Sequence, residues 1–150
     1  MRLVLQRVSE ASVQINGSSH AGIGKGLMIL LGIEERDTQQ DADWLIGKVR
    51  QMRIFNDEAG KMNLSIEDIG GEFLVVSQFT LHALTAKGNR PSFIKAARPE
   101  QAIPLYNYFL SQLSQVSKLA VKSGVFGADM QVHILNDGPV TIWIDSWDRN

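Results

Sequence analysis

The chain contains no cysteine. Thiolate catalysis, zinc–cysteine sites and disulfide staples are therefore excluded together. Histidine is nearly as scarce: His20, His82 and His133 stand far apart and form no helical ligand pair, so a structural metal site is not expected. No apolar run approaches the roughly 20 residues that a membrane span needs. There is no charge excess either. A net charge of −1 argues against a protein that grips long nucleic acid through many phosphates. Internal repeats, low-complexity tracts and linkers are absent. In the opening Met1-Arg-Leu-Val-Leu-Gln-Arg7, a signal-peptide core is ruled out by Gln6, Arg7, Ser9 and Glu10. The expectation is a cytosolic chain that enters its fold as a strand.

What is present suits one ordinary domain. At 150 residues with 44% hydrophobic composition, the chain can bury about two-thirds of its unfolded surface without staples. Charge is uneven along it. Residues 34–43 hold Glu34, Glu35, Asp37, Asp41 and Asp43 against Arg36 alone, whereas residues 73–99 hold Lys87, Arg90, Lys95 and Arg98 with no carboxylate. Such a basic segment suits a short anionic partner, such as an RNA end or a nucleotide, or it is a solvated loop.

The spacing of apolar residues predicts the elements. Residues 2–15 read as a long strand, bent or bulged near Val8 because Arg7 and Ser9 interrupt its apolar face. Asn16-Gly17 is a hairpin dipeptide, with a return strand over about 19–23. Gly22, Gly24 and Gly26 imitate the start of a dinucleotide fingerprint, but no final glycine follows and 27–33 reads as a strand, which excludes it. Leu27–Ile33 and Phe73–Val76 are apolar on both alternating faces, as strands covered on both sides are. Asp37 or Thr38 caps a helix running to about Met52, buried through Ala42, Leu45, Ile46, Val49 and Met52. Asn56–Gly60 is a turn. Pro99 opens a second helix to about Lys118, with a core stripe of Ala102, Leu105, Tyr106, Phe109, Leu113 and Val116. The last segment reads as a hairpin, Gln131–Ile134 and Val140–Asp145, joined by Asn136-Asp-Gly-Pro139. A proline between two strands is unusual, since it donates no ladder bond, and the turn admits a cis peptide. The sum is a single α+β domain over 1–150, with two main helices and a mostly antiparallel sheet or pair of sheets; a barrel-like arrangement is the expectation.

The stretch around which the rest is organised is Glu72–Leu81. Its buried strand turns polar without a turn residue, through Ser77, Gln78 and Thr80. Such groups can be aimed at a ligand, or can satisfy the backbone where the strand ends. No Ser/His/Asp set or carboxylate pair is legible. On an extended chain Thr80 and His82 share a face.

At these residues the sequence resembles the D-aminoacyl-tRNA deacylases, also called D-tyrosyl-tRNA deacylases. Ser77-Gln-Phe-Thr-Leu81 and Gly138-Pro-Val-Thr141 match their two signatures. Met1–Val8, Lys61–Leu64, Asn89–Phe93 and Phe126–Met130 extend the likeness over nearly the whole chain. Only the tail, Trp147–Asn150, departs. The resemblance implies a cytoplasmic homodimeric hydrolase, without cofactor, that acts on the aminoacylated 3′ end of tRNA in translation quality control. It would cleave D-aminoacyl esters, and glycyl-tRNA mischarged on tRNA-Ala. A cis Gly138–Pro139 turn from one subunit would enter its partner's site, hold the substrate ammonium by its carbonyls and reject L side chains by steric clash. Ser77, Gln78, Phe79 and Thr80 would position the ester and stabilise its oxyanion, with Thr80 as covalent nucleophile a lesser alternative. Phe126 and Met130 would line the adenosine pocket. Lys87, Arg90 and Lys95 are assigned to phosphates on charge alone. Two other readings stand beside it: a non-catalytic nucleic-acid-binding module, and a small esterase using Thr80 and His82.

Overall fold

A computed structural model describes residues 1–150. One long strand holds it together. Strand β1 (Arg2–Ile15) pairs along one edge with β8 (Met130–Asp145) for its whole length. Along its other edge it meets β3 (Gly26–Gly32) and then β2 (Ser18–Ile23). The β1–β2 connection is the expected Asn16-Gly17 hairpin, both residues having positive φ. Beyond β3 lie β6 (Glu72–Ser77) and β7 (Val121–Ser123), both parallel to their neighbours. The sheet order is therefore β2-β1-β3-β6-β7 with β8 on the outer edge of β1. It curls into a nearly closed, mostly antiparallel barrel. β4 (Phe55–Asn56) and β5 (Met62–Leu64) flank the Asn56–Gly60 turn as a small separate hairpin.

Period-two alternation sends the strands' side chains to two cores. Leu27, Ile29, Leu31, Phe73 and Val75 face the larger one, under helices α1 (Gln39–Gln51) and α2 (Pro99–Ser117). Met28, Leu74 and Val76 face the smaller one. Each large side chain fully buried here contributes about 1.5–3 kcal/mol. The expected stripe of α2 is its buried face, with Val116 only partly covered. Thr38, and not Asp37, caps α1; the Asp41 carboxylate reaches back to the Thr38 N–H at 2.9 Å, which is why Asp41 is buried.

The C-terminal hairpin is not there. Residues 130–145 form one strand, because the long β1 offers a partner for both halves and a tight turn would leave half of β1 unpaired. The Gly138-Pro139 segment is a bulge: four residues, Asp137 to Val140, face the single Arg7 between the pairs Gln6–Thr141 and Val8–Asn136. The bulge also hands each strand from one core to the other. Leu3, Leu5, Val140, Ile142 and Ile144 pack on the helix side, whereas Val8, Val13, Val132 and Ile134 pack in the smaller core.

Candidate active site

Strand β6 ends where its polar residues begin. Ser77 pairs with Leu31 of β3, and the Gln78 N–H donates to the Leu31 carbonyl at 2.8 Å. The chain then tightens into a 3-10 turn, Phe79–His82. Ser77 and Gln78 therefore hang from the middle of the sheet, and Thr80 rides on the turn.

A cavity of about 290 Å³ opens at this strand end. Ser77, Gln78 and Phe79 form one side, and Phe126 and Met130 line another. Five of the residues singled out in the sequence thus meet in one pocket. Thr80 joins them at the rim, where the Gln78 side-chain amide donates to its hydroxyl oxygen at 2.6 Å. The first N–H groups of the turn, those of Phe79 and Thr80, take no backbone partner, as expected where a helical turn starts.

The Thr80–His82 pairing fails. His82 is 1% exposed while Thr80 is open to solvent. A 3-10 turn rotates about a third of a circle per residue, so positions two apart no longer share a face. Thr80 consequently has no base within hydrogen-bond reach.

The far wall is braced from behind. Tyr106 packs edge-on against Phe126, centroids 5.7 Å apart, and donates its hydroxyl to the Val75 carbonyl at 2.9 Å. Burial pushes its phenol up to about 12, so it stays a protonated strut. Met130 lies against Gly124, where an added Cβ would come within 2.5 Å of its sulfur. Exposed Phe79 is steadied by Phe93, edge-on at 5.1 Å.

Gly138 and Pro139 do not line this cavity. They are exposed on the β8 bulge, joined by a cis peptide, with Gly138 at φ +132°. Lys87, Arg90 and Lys95 are exposed in the loop before α2; Lys95 borders a groove shared with Glu34 and Glu35.

One residue was missed in the sequence. Arg7 is 6% exposed and sits directly beneath the bulge. Its Nε donates to the Asp137 carbonyl at 2.8 Å, and a terminal nitrogen donates to the Ile54 carbonyl at 2.7 Å. The available signal was its phase: Arg7 falls in register with inward-facing Leu3 and Leu5.

The pocket offers a hydroxyl, an amide, free main-chain donors and an apolar wall, but no activated nucleophile. Such a set of groups can position an already reactive ester and stabilise its oxyanion. Residues 4–145 match the family described as D-Tyr-tRNA(Tyr) deacylase. The chain belongs to that family, and it is an enzyme of the aminoacyl-tRNA ester hydrolase class. It is 60% identical over 149 residues to a D-aminoacyl-tRNA deacylase of Akkermansia muciniphila, covering 99% of each chain. Its identity to the one from Bacteroides thetaiotaomicron is 59%, with the same coverage. Among solved structures it is similar to a c-Myc DNA Unwinding Element Binding Protein, with TM-score 0.91 and 47% identity, covering 97% of this chain and 98% of that one. A probable eukaryotic D-amino acid tRNA deacylase shares the fold at TM-score 0.84 and 18% identity, covering 95% and 97%.

Proposed function

We propose that this protein hydrolyses the ester between a D-amino acid and the terminal adenosine of tRNA, releasing the free D-amino acid and tRNA. The observation that carries the proposal is the meeting of Ser77, Gln78 and Phe79 with Phe126 and Met130 in one cavity beside free N–H groups. Water attacks the carbonyl carbon, the Phe79 and Thr80 N–H groups and the Ser77 hydroxyl receive the oxyanion, and the ribose oxygen leaves with a proton. Phe126 and Met130 hold the adenosine, and Lys87, Arg90 and Lys95 meet phosphates of the acceptor end.

Selectivity comes from a second copy of the chain. Gly138 and Pro139 are exposed yet lie outside their own cavity, on a strand that also exposes Leu135 and Trp143. In a homodimer built across this strand, the bulge of one subunit enters the cavity of the other. Its carbonyls take the substrate ammonium, and an L side chain meets the bulge backbone. Glycine has no side chain to exclude, so glycyl-tRNA, including that mischarged on tRNA-Ala, passes the same filter. The place of action is the cytoplasm, where charged tRNA is used.

The test is hydrolysis of D-tyrosyl-tRNA beside L-tyrosyl-tRNA, by wild type and Gly138→Ala. An added Cβ at Gly138 lies 3.0 Å from both Arg7 and Val140, at a φ that L residues rarely adopt. Rapid cleavage of the D ester alone, with selectivity or rate damaged in the variant, is expected. Folded wild type that cleaves neither ester refutes the proposal. The name of the 47%-identical neighbour favours one second reading, a nucleic-acid-binding module without catalysis. Salt-sensitive DNA binding with no ester cleavage would establish that instead.

A further inference from the structure

The turn that carries Thr80 rests on a gap in the sheet's side chains. At Gly32, the last residue of β3, an added Cβ would lie 2.8 Å from the Gln78 carbonyl oxygen, 3.0 Å from the Leu81 Cβ and 3.2 Å from the His82 Cδ2. The turn is thus seated on bare backbone. Its position there is secured from one side by Arg2, which pairs with Gly32 across the sheet. The Arg2 guanidinium donates to the Leu81 carbonyl at 3.1 Å and, through Nε, to the Asp145 carboxylate at 2.8 Å. From beneath, the seat is filled by the His82 ring. That ring is 1% exposed, and neither of its nitrogens has a hydrogen-bond partner.

A buried imidazole without partners is an expensive choice for a mere filler, since an apolar side chain would fill the space without leaving orphaned polar atoms. What distinguishes histidine is that it can gain a charge near neutral pH. We propose that His82 is a positioning residue for the deacylase reaction: its neutral ring, wedged against Gly32, holds Phe79 and Thr80 over the cavity, and protonation releases them. This rests on the hydrolase reading of the pocket.

The surroundings favour the neutral form. Burial lowers the pKa of His82 below the ordinary 6.5, and the Arg2 guanidinium and Met1 ammonium lower it further; the Gly32 backbone and the Glu34 carboxylate oppose this without overcoming it. The turn's own Phe79, Thr80 and Leu81 bring no charge. Once protonated, the ring carries two donors, neither of them paired where it now lies; moving toward solvent satisfies both and takes the turn with it. Neutral His82 supports the fold fully above about pH 6.5, and that support is lost as pH falls below this value.

The experiment follows the Phe79 and Thr80 backbone amides by NMR, and single-turnover cleavage of D-tyrosyl-tRNA, from about pH 7.5 to about pH 5. It uses wild type, His82→Ala and His82→Leu. In wild type both amides shift with one acid titration, and kcat falls with it while KM moves less. His82→Ala leaves the seat empty and lowers kcat on the order of tenfold at neutral pH. His82→Leu refills the seat, recovers most of that loss, and removes the acid titration from both amides and rate. Should His82→Ala fail to fold, the leucine variant and the amide titration decide the matter. The proposal is overturned if His82→Leu keeps the wild-type acid limb, or if the amides do not titrate. Wild type that cleaves no ester at any pH, yet shows the amide titration and its loss in His82→Leu, overturns the hydrolase reading and leaves the seat intact.

Discussion

Replacing Arg7 by methionine should separate the support of the bulge from the chemistry of the pocket. The guanidinium makes two short hydrogen bonds, to the carbonyls of Asp137 and Ile54, and a long one at 3.4 Å to the Asn56 side chain. Bonds to a charged group are worth about 1.5–3 kcal/mol each, and methionine leaves both carbonyls without their donor. Against this, methionine avoids the cost of burying a cation, which offsets part of the loss. The ion pair to Asp137 adds little, because that carboxylate is 3.8 Å away and about half exposed. A net destabilisation of about 2–4 kcal/mol follows, or roughly 5–15 °C in Tm for a chain of this length. Because the bulge carries Gly138 and Pro139, discrimination between D- and L-tyrosyl-tRNA should fall in the folded variant. Arg7→Lys, which can serve only one carbonyl well, should lie between. Thermal unfolding and the two hydrolysis rates, measured on the same preparations, provide the check. An Arg7→Met protein with wild-type Tm and undiminished L rejection would show that the guanidinium does not support the bulge.

Three further outcomes follow from single positions. Gly26→Ala places a Cβ 1.9 Å from the Glu72 carbonyl oxygen, where β3 and β6 must part; destabilisation above about 3 kcal/mol is expected, and a normal melting curve would contradict that close approach. Thr80→Val removes a hydroxyl that has no base, so deacylation should fall less than about tenfold, whereas a drop of a thousandfold or more would restore Thr80 as the nucleophile. Burial raises the pKa of Asp145, but the Arg2 and Trp147 hydrogen bonds outweigh it and leave the carboxylate below its ordinary 3.8. Its contribution is therefore complete above about pH 4 and is lost as pH falls through the lowered value. Denaturant midpoints at a series of acid pH values should show a shallower decline in Asp145→Asn than in wild type.

Why some of this was legible and some not comes down to the range of the interactions involved. β3, β6, the Asn16-Gly17 hairpin and both helices are written in spacings of a few residues, and each stands where the spacing put it. The Asn136–Pro139 segment looks like a turn by the same local rules, yet the 14-residue β1 overrides them by offering one continuous partner. Ser77, Gln78 and Thr80 are visible in the sequence as polar groups at the mouth of a buried strand. The 3-10 turn that separates Thr80 from His82 was not, because Gly32, distant in sequence, makes room for it. Arg7 was seen only as an interruption; its acceptor at Asp137 lies 130 residues away. The tail behaves similarly. Trp147 donates its indole N–H to Asp37 at 2.9 Å, Arg36 stacks over that ring at 4.1 Å, and Arg149 over Trp44 at 4.7 Å. Asp37, which looked like a helix cap, instead receives this indole and the Met1 ammonium. A local pattern can show that a residue is out of place for its element, but the partner that explains it comes only from the fold. The residues most at odds with their local pattern, Arg7, His82 and Gly138, are accordingly where the chain's specificity should be sought.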